Sequence, residues 1–173
     1  MIISRTQIYT GNGKGKTTAA FGLALRAAGH GMRVIVVQFL KGGKPSGEVV
    51  AAGIARLFSV DRFGAKGFCF DCDDNTEHRT EAEKAMSRVR ELLSSAEYDI
   101  VIADEMVTAM HIGLISEKDV IETMNMKPTN TELILTGRGA TQQIIDEADL
   151  VTEMREIKHY FNDGVPAREG IEE

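Results

Sequence analysis

The residues best suited to chemistry stand near the start of the chain, in Thr10-Gly11-Asn12-Gly13-Lys14-Gly15-Lys16-Thr17-Thr18. Glycines at alternate positions let a backbone curl so that successive N–H groups point at one anion, and a helix starting behind them adds its positive end. Lys16 supplies a mobile cation for phosphate oxygens, and the Thr17 hydroxyl suits Mg²⁺ or Mn²⁺. Gly15-Lys16-Thr17 fits the second half of the phosphate-loop pattern G-x-x-x-x-G-K-[ST], while Thr10 stands where that pattern opens on glycine. The run is read as a triphosphate site. A glycine-rich turn with an incidental lysine is the alternative, and the strand before it and the helix after it count against that.

A second chemical element is Ile100-Val101-Ile102-Ala103-Asp104-Glu105, an apolar run ending in two carboxylates. In phosphate-loop proteins such an acid lies beside the loop threonine and binds the metal directly or through water. Spacing leaves open which carboxylate touches the ion, and a solvated strand end capping the next helix is the competing reading. Gly137-Arg138-Gly139 follows another apolar run, on the edge where open α/β sheets bind ligands, so Arg138 is a candidate for phosphate or ribose. The alternative there is a solvated turn arginine.

Positioning these residues takes a wound sheet. Apolar runs expected as strands are 5–10, 33–39, 55–60, 98–104, 132–136 and 150–154. Helical patterns fill 16–29, 76–95, 106–112, 116–124 and 141–147, with a short helix between the second and third strands. In the first helix Ala19, Ala20, Leu23 and Ala27 are expected to face inward; in the long one, Ala82, Ala85, Met86, Val89, Leu92 and Leu93. Ser116 with Asp119 reads as a capping box in which Asp replaces the usual Glu or Gln. Residues 61–75 and the stretch after Phe161 carry no period. Strands separated by helices predict an α/β fold: one three-layer domain over 1–173 with a mostly parallel sheet of about six strands.

Bulk properties narrow the class. With 173 residues, 43% of them hydrophobic, the chain can bury one sizeable core. A net charge of −6 argues against a nucleic-acid partner, which a basic face would favour. There is no apolar run of about 18 residues to cross a membrane and no signal-peptide start, so a cytoplasmic location is expected. Cys69 and Cys72, with His78 nearby, fall short of the four ligands of structural zinc and read as free thiols.

Laid out together, these residues resemble the corrinoid (cob(I)alamin) adenosyltransferases, a P-loop, RecA-like family of the cobalamin pathway. The resemblance runs through Tyr9 to Gly22, Arg26-Ala27, Gly29-His30-Gly31, Val36-Val37-Gln38-Phe39, Lys41-Gly42 and Pro45-x-Gly47-Glu48. It continues through Asp104-Glu105, Thr136-Gly137-Arg138-Gly139 and a tail, Lys158-His159-x-Phe161-x-x-Gly164-x-x-Ala167-x-x-Gly170-Ile171. It implies a homodimer that moves the 5′-deoxyadenosyl group of ATP to cobalt(I) of a corrinoid, with the nucleotide reversed in the loop and triphosphate leaving. It implies that Phe68 and Phe70 displace the lower ligand of the corrin, Phe70 standing where many relatives carry Trp. It also implies that His159 contacts nucleotide or corrinoid, and that a flavodoxin-type donor is the reductant. Relatives often have a helical extension before the first strand, and here that strand begins within about five residues of Met1. The rival readings are a P-loop ATPase or small-molecule kinase acting at the γ-phosphate, and a non-catalytic ATP or corrinoid binder.

Overall fold

The computed structural model describes residues 4–67 and 75–172. Six strands form one sheet: β1 (Thr6–Thr10), β2 (Val34–Gln38), β3 (Ser59–Arg62), β4 (Ile100–Asp104), β5 (Glu132–Thr136) and β6 (Leu150–Glu153). Every pairing is parallel and the order is β3-β2-β4-β5-β1-β6. Because β5 lies between β1 and β4, the phosphate loop and the acids after β4 emerge two strand spacings apart, about 10 Å.

Parallel strands joined by crossover helices must be covered on both faces, and β2 and β4 are accordingly buried at every position. Alternate residues go to opposite sides. Ile8, Ile35, Val37, Val101, Ala103, Leu133 and Leu135 pack under α3 (Thr76–Ser95), α4 (Met106–His111) and α5 (Glu117–Asn125). On the same side Ile144 adds the contribution of α6 (Gln142–Glu147). Val34, Val36, Ile100, Ile102 and Ile134 pack under α1 (Lys16–Gly29), flanked by Val49 of α2 (Gly47–Ala55). This is a three-layer P-loop, RecA-like domain. Among the described residues no helix is long and apolar enough to cross a membrane.

Several local expectations hold. The buried face of α3 is the expected set of six apolar residues. Ser116 caps α5, its Oγ accepting the Asp119 N–H at 3.1 Å. Two expectations need correction. The third strand is Ser59–Arg62, not 55–60, because α2 runs on to Ala55 and ends at Arg56 in the left-handed region (φ 51°). Asp61 and Arg62, read from sequence as irregular, belong to the strand, and their side chains find partners on neighbouring elements. Arg88 Nε donates to Asp61 at 2.8 Å, and Arg62 donates to the carbonyls of Gly43 and Lys44 at 3.1 and 3.0 Å. The inward stripe of α1 is likewise turned: Ala20, Phe21, Ala24 and Ala27 are buried, with Leu23 at its margin and Ala19 only half-buried.

Two glycines separate cleanly by backbone demand. Gly11 has φ 94°, and a Cβ there would lie 2.5 Å from the Met154 carbonyl oxygen. Gly53, inside α2, has open space around it. Gly11→Ala is expected to lower unfolding free energy by about 1–3 kcal/mol, whereas Gly53→Ala should raise it by about 0.5–1 kcal/mol. Urea denaturation of both variants measures the contrast.

Candidate nucleotide site

The turn after β1 is held by the far end of β6. The Met154 N–H donates to the Thr10 carbonyl at 2.8 Å, and the Gly13 N–H donates to the Met154 carbonyl at 2.7 Å. A Cβ at Gly13 would lie 2.7 Å from that same oxygen, so the two backbones meet at a distance only glycine permits. Gly15 (φ 114°) then turns the chain into α1, whose first residue is Lys16. The Lys16 ammonium donates to the carbonyls of Gly11 and Gly13 at 2.7 and 2.8 Å, and the residue is 6% exposed. Burial holds its pKa below the ordinary lysine value; Arg138 adds to that, and Glu105 opposes it.

Asp104 organises the floor. It is fully buried, and its carboxylate accepts three neutral donors: Thr17 Oγ1 at 2.9 Å and Thr136 Oγ1 at 2.7 Å on Oδ1, and Gln38 Nε2 at 3.0 Å on Oδ2. Gln38 is its register partner across β2 and β4. Burial first, and then the neighbouring Glu105, raises the Asp104 pKa, while the three donors work against that rise. Glu105 itself adopts φ 63° at the start of α4. Its N–H donates to Thr136 Oγ1 at 2.9 Å and its Oε2 accepts the Thr108 hydroxyl. Thr108 Oγ1 in turn accepts the Arg138 N–H at 2.9 Å.

These groups open into a cavity of about 730 Å³. Gly13 to Thr18, Gln38, Lys41, Glu105 and Arg138 form its polar end. Phe21, Leu25, Ala51, Ala52, Leu57 and Phe58 form an apolar flank, with the Phe21 and Phe58 rings edge-on at 5.8 Å. His159, Gly170, Ile171 and Glu172 close it from the tail. The volume falls in the range of small-molecule sites, and the polarity gradient suits a ligand with an anionic chain at one end and a ring system at the other.

The structure brings most of the candidate residues together. Gly13, Lys14, Gly15, Lys16, Thr17, Thr18, Glu105, Arg138 and His159 line the cavity, and Asp104 lies directly beneath Thr17. Thr10 and Gly11 are spent on β6, and Asn12 is exposed away from the lining. Phe68 and Phe70, with Cys69 and Cys72, lie outside the described residues. Sequence reasoning did not assign roles to Gln38, Thr136, Thr108 and Met154. The signal for the first two was present: each is a polar residue closing an apolar strand at the carboxyl edge. Met154 had no such signal, because it acts through its backbone.

Among the described residues no three His, Cys, Asp or Glu side chains group to hold a metal by themselves. The local donors are oxygens, of Thr17 and the two acids, a set that suits a hard cation sharing its coordination with phosphates and water. Asp104, which accepts the Thr17 hydroxyl at 2.9 Å, fits the part of orienting Thr17.

Fold and site thus define a P-loop nucleotide-binding protein. Residues 4–172 match the family described as ATP:corrinoid adenosyltransferase BtuR/CobO/CobP. The chain belongs to that family. It is 37% identical over 166 residues to the corrinoid adenosyltransferase of Escherichia coli K12, covering 95% of this chain and 83% of the relative. It is 37% identical to corrinoid adenosyltransferase CobA of Salmonella typhimurium with the same coverage. Against the corrinoid adenosyltransferase of Pseudomonas aeruginosa it is 36% identical over 168 residues, covering 95% of this chain and 81% of the relative.

Thr136→Val removes a donor from Asp104 and the acceptor of the Glu105 N–H while keeping the shape of the side chain. The expected loss of stability is about 1–3 kcal/mol, read by chemical denaturation. A change below about 0.5 kcal/mol, the scale of ordinary surface substitutions, would contradict the bonding described for Asp104.

Proposed function

We propose that this chain is an ATP:corrinoid adenosyltransferase of adenosylcobalamin biosynthesis or salvage. The observation that carries the reading is the match of residues 4–172 to the ATP:corrinoid adenosyltransferase family, with the Thr17–Asp104 contact of 2.9 Å intact within it. In the reaction, cobalt(I) supplies both electrons of a new bond to C5′ of ATP. The C5′–O bond breaks, its electron pair leaves on triphosphate, and the cobalt becomes formally cobalt(III). A metal nucleophile of that strength needs no side-chain base. The protein's work is to align C5′ with the cobalt and to stabilise charge growing on the leaving group.

Lys16, the Lys14–Thr18 amides and Arg138 are assigned to the phosphate chain. Mg²⁺ fits Thr17, with Asp104 acting through that hydroxyl and Glu105 facing the same space; when bound, it would neutralise the leaving charge. Phe68 and Phe70 are assigned to the lower face of the corrin, and His159 to the rim of the site, on the family resemblance. A homodimer, a flavodoxin-type reductant and a cytoplasmic location complete the reading. The exposed apolar residues Val50, Ile54, Leu150 and Val151 are consistent with a partner subunit.

The test is anaerobic mixing of protein, Mg-ATP and chemically reduced cob(I)alamin, followed by absorption spectroscopy. The expected result is a light-labile alkylcobalt spectrum. ATP consumption with an unchanged corrin spectrum would favour the ATPase or kinase reading, and binding without turnover would favour a carrier. Lys16→Ala is expected to cut the rate of alkylation by at least about 100-fold, measured in the same assay with the protein's thermal unfolding unchanged.

A further inference from the structure

The two lysines of the loop point in different directions. Lys16 turns inward onto the Gly11 and Gly13 carbonyls. Lys14 turns outward to the C-terminal tail, its ammonium donating to the Ile171 carbonyl at 2.6 Å and lying 3.5 Å from Glu172 Oε1. After β6 the chain makes a short 3-10 helix, Tyr160–Asp163, and comes back so that its last described residues stand against the loop. Glu172 gathers that segment. It accepts the Arg168 N–H at 2.9 Å, the Arg168 guanidinium at 3.0 Å and the Tyr160 hydroxyl. The guanidinium also sits 4.9 Å over the Tyr160 ring, and the Glu172 side chain is only 16% exposed. These donors hold the Glu172 carboxyl well below the ordinary range, so it stays charged at neutral pH.

We propose that Lys14 and Glu172 form a latch that fastens the tail across the phosphate loop as a wall of the nucleotide cavity. Glu172 is then a positioning residue for the triphosphate, acting through Lys14. The inference rests on the reading of the loop as a triphosphate site. The knot around Glu172 is local, built from residues 160–172, whereas Lys14 ties it to the loop across more than 150 positions of sequence. An exposed ion pair contributes little alone; here a small contribution is enough, because it only has to choose between a docked and an undocked tail. Losing Lys14 releases an intact knot, and losing the Glu172 charge unties the knot itself. Either loss opens the same wall.

A double-mutant cycle on the full chain tests this, with Lys14→Met and Glu172→Gln alone and combined, titrated calorimetrically with Mg-ATP and with inorganic triphosphate. Each single variant should weaken both ligands about fivefold, and the double variant no more than the weaker single. Lys14→Arg should restore most of the affinity, and tryptic cleavage after Arg168 should accelerate in Lys14→Met without a change in melting temperature. Multiplying losses in the double variant would mean that Lys14 acts on phosphate directly, and unchanged affinities in both singles would reduce the tail to packing. Either result overturns the latch. Lys16→Ala, titrated alongside, reports on the underlying reading: retained triphosphate affinity there would sink the phosphate-site assignment, whatever the cycle gives.

Discussion

The carboxylate of Asp104 ends a strand that is apolar along its length and is removed from water altogether. An ionised group in that position is costly unless its lone pairs are met by hydrogen bonds. Here they are met by Thr17, Thr136 and Gln38, one each from α1, β5 and β2. Three separate elements are thereby drawn to one point, and the first residues of α1 are held over the sheet at the loop's mouth. The same Thr136 hydroxyl accepts the Glu105 N–H, which sets the left-handed turn that aims Glu105 into the cavity. The rest of the site is arranged around this buried acid.

The loop answers to a second constraint from the opposite edge of the sheet. β6 pairs with β1, and its continuation at Met154 exchanges backbone hydrogen bonds with Thr10 and Gly13. The front half of the loop is therefore part of the fold, fixed by main-chain bonds, and the back half is left to meet a ligand. That division gives Gly11 and Gly13 a steric role beside the conformational one: they admit a neighbouring backbone.

Much of this was legible in the sequence, and the reason is that strand periodicity and the phosphate-loop spacing are local signals. Val34 to Gln38 declare their environment by composition, and Ala82 to Leu93 by the spacing of their apolar residues. The misplaced third strand had no such signal. Asp61 and Arg62 look like loop residues until Arg88 and the carbonyls of Gly43 and Lys44 are in place to take their charges. Likewise Lys14, spaced like a phosphate ligand, reaches the tail, a contact set by where the chain returns some 157 residues later. Interactions between distant segments are what one-dimensional patterns carry least well.

If the loop grips a leaving group, as proposed, the nucleotide is consumed at its sugar end. Phosphorus NMR of the products from Mg-ATP and cob(I)alamin tests it most directly. The expected product is inorganic triphosphate, intact and equal in amount to the alkylcorrinoid formed. ADP with inorganic phosphate, formed in step with turnover and without triphosphate, would contradict it.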